Sequence, residues 1–134
     1  MQFIYKIFNI FILITVFVLI HCACGNSTAI NTPIVFPDSN VSWTYHVQPF
    51  IKMTCATVGC HSTQSQAAGI VLDDYMMLFS GSALGMVVPN DPEASRLVQY
   101  LEFKVVHNGS IYWKFDSQQL NGVKKWISEG AKMN

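Results

Sequence analysis

Two hydrophobic patterns divide the chain: a continuous apolar run near its start and a helical periodicity after it. Residues 7–20 read IFNIFILITVFVLI, in which only Asn9 and Thr15 are polar, and Lys6 precedes them. A basic residue followed by an apolar run of this length is typical of an export signal. The alternative is a retained membrane anchor, although a helix needs about 20 apolar residues to cross a bilayer. We therefore predict export.

The later part of the chain carries start and stop signals for helices. A helix over 47–53 has Pro49 in its first turn, where the missing N–H costs nothing. Asp73 is the expected cap of a short helix over 74–80. A third helix, over 91–102, begins with Asp-Pro-Glu. Because no segment alternates apolar and polar residues over a useful length, we predict a small all-α domain with long loops.

A final helix is predicted from the pair Asp116 and Gln119, whose spacing matches a capping box. Gly130 ends this helix. Its apolar face contains four residues: Leu120, Val123, Trp126 and Ile127.

The segment after the apolar run resembles a bacterial lipoprotein signal. Cys22-Ala23-Cys24 is followed by a stretch rich in Gly, Ser, Thr, Asn and Pro. We predict that residues 1–23 are removed and that Cys24 is lipidated; Cys22 is the alternative site, and ordinary secretion without lipid is another. The predicted organisation is a signal peptide over 1–23, a flexible tether over 24–40 and one domain over 41–134.

Composition and charge narrow the class of protein further. The 134 residues suffice for one small domain, and 8 basic and 8 acidic side chains give zero formal net charge. A nucleic-acid-binding domain usually has a basic excess on one face, so nucleic acid is not an expected partner. No activated nucleophile or paired acids stand out, so we do not predict an enzyme.

Cys55, Cys60 and His61 form the motif that carries chemistry. Two cysteines followed directly by histidine are typical of covalent haem attachment, in which each thiol adds across a vinyl group and the imidazole becomes an axial iron ligand. Four residues separate the cysteines here instead of two, so Ala56–Gly59 must bulge outward. The alternatives are a local disulfide, a zinc site that includes His107, or coincidence.

The surroundings of this motif resemble a known family. The pieces are V-x-P-F-I-x-x-x-C before the motif, Gly-Ile-Val-Leu over 69–72, Val-Val-Pro over 87–89 with Pro-Glu-Ala-Ser-Arg-Leu over 92–97, and Trp-Ile-x-x-Gly-Ala over 126–131. In this order they resemble the single-haem cytochrome c-like domains of bacterial envelope proteins, including the planctomycete-type group and its Bacteroidetes lipoprotein relatives. The resemblance spans roughly residues 43–133, and a four-residue gap between the cysteines occurs in that family.

The resemblance implies one covalent haem c on Cys55 and Cys60, with His61 as the proximal iron ligand. The family usually supplies a Met-Pro in the loop before the last helix, but residues 106–115 contain neither residue type. His107 is the predicted distal ligand in that loop; Met86 and an open sixth position are the alternatives. Four aromatic residues are candidates for the haem wall: Phe50, Tyr100, Trp113 and Trp126.

The expected function is one-electron transfer in the cell envelope of a bacterium. The expected partners are redox proteins of the envelope and the membrane, which the chain would reach through its lipid anchor. A haem-binding sensor or peroxidase-like enzyme with an open sixth site is the first alternative. A disulfide-bonded envelope protein without a cofactor is the second.

Overall fold

The computed structural model describes Gln2 and residues 34–107 and 115–134. Contacts along the chain separate Met1–Thr32 from Pro33–Asn134. Apart from Gln2, the predicted signal peptide, Cys24 and the beginning of the tether lie outside the described residues. Within these ranges the chain forms helices and loops with no strand, so the prediction of an all-α domain is confirmed.

A π-helical turn leads into the first α-helix. The turn covers Trp43–Val47 and continues as α1, Gln48–Thr54. Ser42 caps the turn, since its hydroxyl accepts from the Tyr45 N–H at 3.2 Å. The Ser42 N–H donates to His46 Nδ1 at 2.9 Å, so this imidazole nitrogen is used locally. Helical structure therefore begins four residues before the predicted start.

The second α-helix is shorter than the sequence predicts. It covers Arg96–Leu101 as α2, whereas the predicted helix begins at 91. Asp91 accepts from the Ala94 N–H at 3.0 Å in a separate turn. Ser95 is fully buried and extended; its hydroxyl donates to the Asp91 carbonyl at 2.8 Å and accepts from the Val88 N–H at 2.9 Å. These bonds hold Ser95 out of helical geometry, which explains the later start.

The segment predicted as a helix over 74–80 forms only a 3₁₀ turn, Met76–Phe79. Its cap is Asp74, whose carboxylate accepts from the N–H groups of Met76 and Met77 at 2.9 and 3.2 Å. The Asp73 carboxylate instead accepts from the Thr63 N–H at 2.8 Å. The prediction of Asp73 as the cap is therefore wrong, because this side chain joins the turn to the loop after His61.

The last helix agrees closely with the prediction. It covers Ser117–Ser128 as α3. Asp116 Oδ1 accepts from the Gln119 N–H at 2.8 Å, and Gln119 Oε1 accepts from the Asp116 N–H at 3.1 Å, which is the predicted capping box. Gly130 follows the helix with φ +97°, a conformation that glycine adopts without strain.

One hydrophobic core joins the three α-helices of the described residues. Trp126 of α3 is fully buried, 5.5 Å from the Trp43 ring centroid to centroid, and its Nε1–H donates to the Lys132 carbonyl at 3.0 Å. Trp126 is thus a core residue with its polar atom satisfied, and its part in a haem wall stays a prediction. The other fully buried large side chains include Phe50, Ile51, Leu78, Val98, Leu101, Val123 and Ile127.

Residues 34–40 pack on this core. Ile34 and Phe36 contact it, and the Ile34 carbonyl accepts from the Gln119 side-chain amide at 3.4 Å. Phe36 lies so close to Gly122 of α3 that a Cβ at this glycine would overlap its ring. The end of the segment predicted as a tether therefore belongs to the folded unit, while the predicted boundary at residue 23 stays a prediction.

Candidate functional site

The cysteine–histidine loop begins where α1 ends. Cys55 is the last residue of the helical bonding pattern, and its N–H donates to the Ile51 carbonyl at 2.8 Å. The Ala56 N–H donates to the same carbonyl at 2.8 Å. Since Ile51 is fully buried, the core holds the end of the helix and with it the first cysteine.

The residues between the two cysteines form a turn that projects into solvent. The Cys60 N–H donates to the Thr57 carbonyl at 2.9 Å, and Val58 within the turn is 100% exposed. Gly59 has φ +80° with open space where a Cβ would stand. Ala56, however, is buried in the core. The bulge predicted for Ala56–Gly59 therefore occurs without Ala56.

A backbone hydrogen bond closes this loop at its base. The His61 N–H donates to the Cys55 carbonyl at 3.1 Å, which returns the chain to the end of α1. The four residues between the cysteines lie within the loop that this bond closes, and His61 is brought back to the end of α1.

Cys55 and Cys60 are not joined in a disulfide, and both side chains are half-buried. A threonine hydroxyl lies 3.4 Å from each sulfur, Thr54 beside Cys55 and Thr57 beside Cys60. The disulfide between Cys55 and Cys60 considered from the sequence is not formed. Two partly accessible thiols suit covalent attachment of a porphyrin better than a structural role.

The imidazole of His61 is oriented by a backbone carbonyl. Its Nδ1 lies 3.1 Å from the Ala67 carbonyl oxygen. A carbonyl can only accept a hydrogen bond, so Nδ1 is the donor, and in the neutral imidazole Nε2 then keeps its lone pair. Metal-binding histidines are typically held in this way through their second nitrogen. Two backbone bonds fix the surrounding loop, Ala67 N–H to the Cys60 carbonyl at 3.0 Å and Leu72 N–H to the His61 carbonyl at 2.8 Å.

The structure brings His107 next to His61. The two ring centroids are 5.9 Å apart with an interplanar angle of 76°, and His107 is exposed. The two imidazoles are therefore close enough for both side chains to face one bound group. Asn108-Gly109 and Trp113, part of the sequence argument for this loop, lie outside the described residues.

Met86, the alternative residue for the sixth ligand, is buried in the core. Met86 is only 4% exposed and belongs to the hydrophobic core, where its carbonyl accepts from the Leu97 N–H at 2.9 Å.

Among the described residues, no group of three His, Cys, Asp or Glu side chains is arranged to hold a metal ion. The zinc site proposed from Cys55, Cys60, His61 and His107 is therefore not supported.

Aromatic residues that the sequence did not single out accompany Phe50 and Tyr100. Phe115, just before α3, contacts Phe50 edge to face at 6.1 Å and stacks on Phe103 at 6.0 Å. Phe103 has φ +58°, a left-handed conformation that the sequence pattern does not predict. Tyr100 contacts His107 at 5.7 Å with an interplanar angle of 88°. Among the predicted wall residues that the structure describes, Tyr100 therefore contacts a candidate ligand.

Four charged residues form a cluster between α2 and α3. Lys124 Nζ lies 2.8 Å from Glu93 and 2.6 Å from Glu102, and Lys104 Nζ lies 3.0 and 2.6 Å from the same two carboxylates. Hydrogen bonds from Lys124 and then Lys104 lower the pKa of Glu93 from 4.5 to about 2. Those from Lys104 and then Lys124 lower the pKa of Glu102. These carboxylates are ionised partners of lysines and not a general acid–base pair.

Within residues 34–107 and 115–134, no helix has the length and apolarity needed to cross a bilayer.

Comparison with known proteins finds a similarity over part of the chain. The family model described as Planctomycete cytochrome C matches residues 58–105, about a third of the chain. The matched region contains Cys60 and His61, begins after Cys55 and ends before His107. No curated protein and no solved structure matches the chain. Residues 58–105 are therefore similar to the planctomycete type of cytochrome c, and Cys60 and the oriented imidazole of His61 lie within the matched part.

Proposed function

We propose that the protein is a mono-haem c-type cytochrome that carries single electrons in the bacterial cell envelope. The observation that supports this most directly is the geometry of one loop. Two cysteines outside any disulfide and an imidazole with Nδ1 fixed on the Ala67 carbonyl lie within seven residues, and the centroid of a second imidazole lies 5.9 Å from that of the first. Cys55 and Cys60 would hold one haem c, with His61 and His107 as the iron ligands.

When bound, haem c supplies an iron that changes between ferrous and ferric states, with a potential set partly by its axial ligands. The chain supplies the attachment points and the orientation of the ligands. The closure between His61 and Cys55 keeps thiols and imidazole together, and the Ala67 carbonyl presents Nε2 as the donor. Two nitrogen ligands in place before and after electron transfer would keep the reorganisation of the site small.

An electron carrier is favoured over a haem enzyme or sensor by the position of His107. An enzyme or sensor of this kind needs an open sixth position, and the His107 ring lies beside His61, where it would fill that position. The family match agrees with an electron carrier. Redox proteins of the envelope are the proposed partners, and nucleic acid is not, because the net charge is zero.

The location in the envelope is proposed from the sequence together with the family. Proteins of the cytochrome c family are typically exported, which agrees with the apolar run over 7–20. We propose that residues 1–23 form a signal peptide and that Cys24 carries the lipid that holds the protein on the membrane.

The mass of the protein, produced with a cytochrome maturation system, tests covalent attachment. The expected result is one haem of added mass that acid–acetone extraction does not remove. Cys55→Ser and Cys60→Ser should each leave a single thioether, and the double variant should lose the haem on extraction. Thr63→Ser, in the same loop but without a sulfur, is the matched control. An unmodified mass in the parent protein would refute the proposal.

A further inference from the structure

Tyr100 of α2 lies between an arginine and a histidine. Arg96, one turn earlier, donates from Nη2 to the Tyr100 hydroxyl at 3.2 Å. The central carbon of this guanidinium group lies 5.8 Å from the centroid of the Tyr100 ring. Because residues four apart share one face of a helix, this contact is a direct product of the helical geometry of α2. The guanidinium therefore restrains both the hydroxyl and the ring face of Tyr100.

The ring of Tyr100 also contacts His107. The two centroids are 5.7 Å apart and the planes meet at 88°, an edge-to-face arrangement that aromatic rings favour. His107 lies beyond the end of α2 and is exposed. The ring of His107 also contacts His61, with 5.9 Å between the two ring centroids.

We propose that Tyr100 is a positioning residue that holds the His107 imidazole beside His61, and that Arg96 restrains Tyr100 for this purpose. The proposal rests on the proposed function, since the purpose of the arrangement is ligation of the haem iron. Tyr100 touches neither the thiols nor His61 in the contacts above and acts through His107. Its aromatic ring, more than its hydroxyl, carries the effect, because the ring makes the contact with the imidazole.

Competition with carbon monoxide measures how firmly His107 occupies its place. Carbon monoxide binds the ferrous haem only when the distal ligand is released, so its apparent affinity is proportional to the released fraction. In the full-length, haem-loaded protein, Tyr100→Leu should raise that affinity roughly two- to tenfold, the effect of losing one aromatic pair. Tyr100→Phe keeps the ring and should stay close to the parent.

A second variant leaves the aromatic contact in place and removes its restraint. Arg96→Met should raise the apparent affinity for carbon monoxide by a smaller factor than Tyr100→Leu. Since Arg96 is exposed, this variant tests the proposal even if Tyr100→Leu does not fold. Mass spectrometry and circular dichroism confirm attached haem and intact helices for each variant.

The His107→Ala background separates positioning from a general change in the pocket. There, Tyr100→Leu and Arg96→Met should leave the affinity for carbon monoxide unchanged, because no imidazole remains to be held. Equal increases in both backgrounds, or no increase in the parent, would overturn the proposal. If His107→Ala itself leaves the spectrum unchanged, His107 is not a ligand and the proposal also falls. A missing haem mass would instead contradict the proposed function.

Discussion

At the scale of single residues, the two candidate ligands have different surroundings. His61 is half-buried and its Nδ1 is bonded to the Ala67 carbonyl, whereas His107 is exposed and packs edge to face on Tyr100. The proximal imidazole is therefore part of the folded loop. The distal one lies on the surface, in edge-to-face contact with Tyr100 of α2.

This difference predicts the effect of removing the distal side chain. His107→Ala should convert a low-spin haem into a high-spin haem that binds carbon monoxide, because one nitrogen ligand is lost. His46→Ala is the control, since His46 Nδ1 is occupied by the Ser42 N–H and should not affect the spin state. Optical spectra of both variants check the prediction. A spectrum that changes in Met86→Ala and not in His107→Ala would assign the ligand to Met86.

Sequence spacing is sufficient to select Cys55, Cys60 and His61 as candidates, because the attachment chemistry requires those residue types next to each other. Sequence spacing cannot identify the Ala67 carbonyl as the hydrogen-bond partner of His61. Every residue has a carbonyl, and only the path of the loop after His61 decides which of them the imidazole meets. The edge-to-face contact of Tyr100 with His107 is likewise a product of the end of α2.

At the scale of secondary-structure elements, local signals identify α3 and fail for α2. The capping box of Asp116 and Gln119 is complete within four residues, so its sequence pattern determines its geometry. The start of α2 depends on Ser95, whose hydroxyl bonds backbone groups of residues 88 and 91. A proline and an acid after a capping aspartate favour a helix, but the bonds of the buried serine outweigh them.

The contact between α3 and Phe36 predicts an unusual result for a glycine in a helix. Alanine is normally better than glycine in a helix by up to about 1 kcal/mol. At Gly122 its methyl group would overlap the Phe36 ring, and overpacking typically costs about 1–3 kcal/mol. Gly122→Ala should therefore lower the free energy of unfolding, measured by urea denaturation.

The exposed neighbour Asn121 provides the control, because Asn121→Ala meets no such contact and should be neutral or slightly stabilising. In a Phe36→Ala background, Gly122→Ala should become neutral or stabilising as well. An equal loss of stability in both backgrounds would show that Phe36 is not the cause.

At the scale of the whole molecule, the charged cluster joins parts of the chain that are distant in sequence. Lys124 belongs to α3, Glu102 follows α2, and Glu93 precedes it. The pKa of Glu93 is lowered to about 2 and that of Glu102 is also lowered, while those of Lys104 and Lys124 are raised. The cluster is largely exposed, so salt screens it.

These pKa directions predict how stability changes with pH. A carboxylate with a lowered pKa stabilises the fold fully above its ordinary value of 4.5, and this contribution is lost as pH falls toward about 2. The lysine contributions are present below 10.5 and are lost as pH rises through the raised values. Thermal unfolding between pH 2 and pH 6 should fall less steeply for Glu93→Gln than for the parent. Asp38→Asn, outside the cluster, should follow the parent curve; coincident curves for all three proteins would contradict the prediction.

The lipid anchor is a prediction about the whole molecule that rests on its sequence. Cys24→Ala should release the protein from membranes or stop its processing, because stable attachment needs more than one acyl chain. Fractionation of cells and the mass of the mature N-terminus check this. If Cys24→Ala stays on the membrane and is cleaved normally while Cys22→Ala is released, Cys22 is the lipidated residue.

The hydrogen bond between the His61 N–H and the Cys55 carbonyl has a consequence for how such sites are recognised. A search pattern that counts residues between cysteines treats a longer gap as a different motif. Here the backbone closes the loop around a gap of four residues, and Val58 within that gap is fully exposed. Surface loops tolerate insertions and deletions. In this chain, the closing bond places His61 beside the end of α1 although the gap is two residues longer than the usual one.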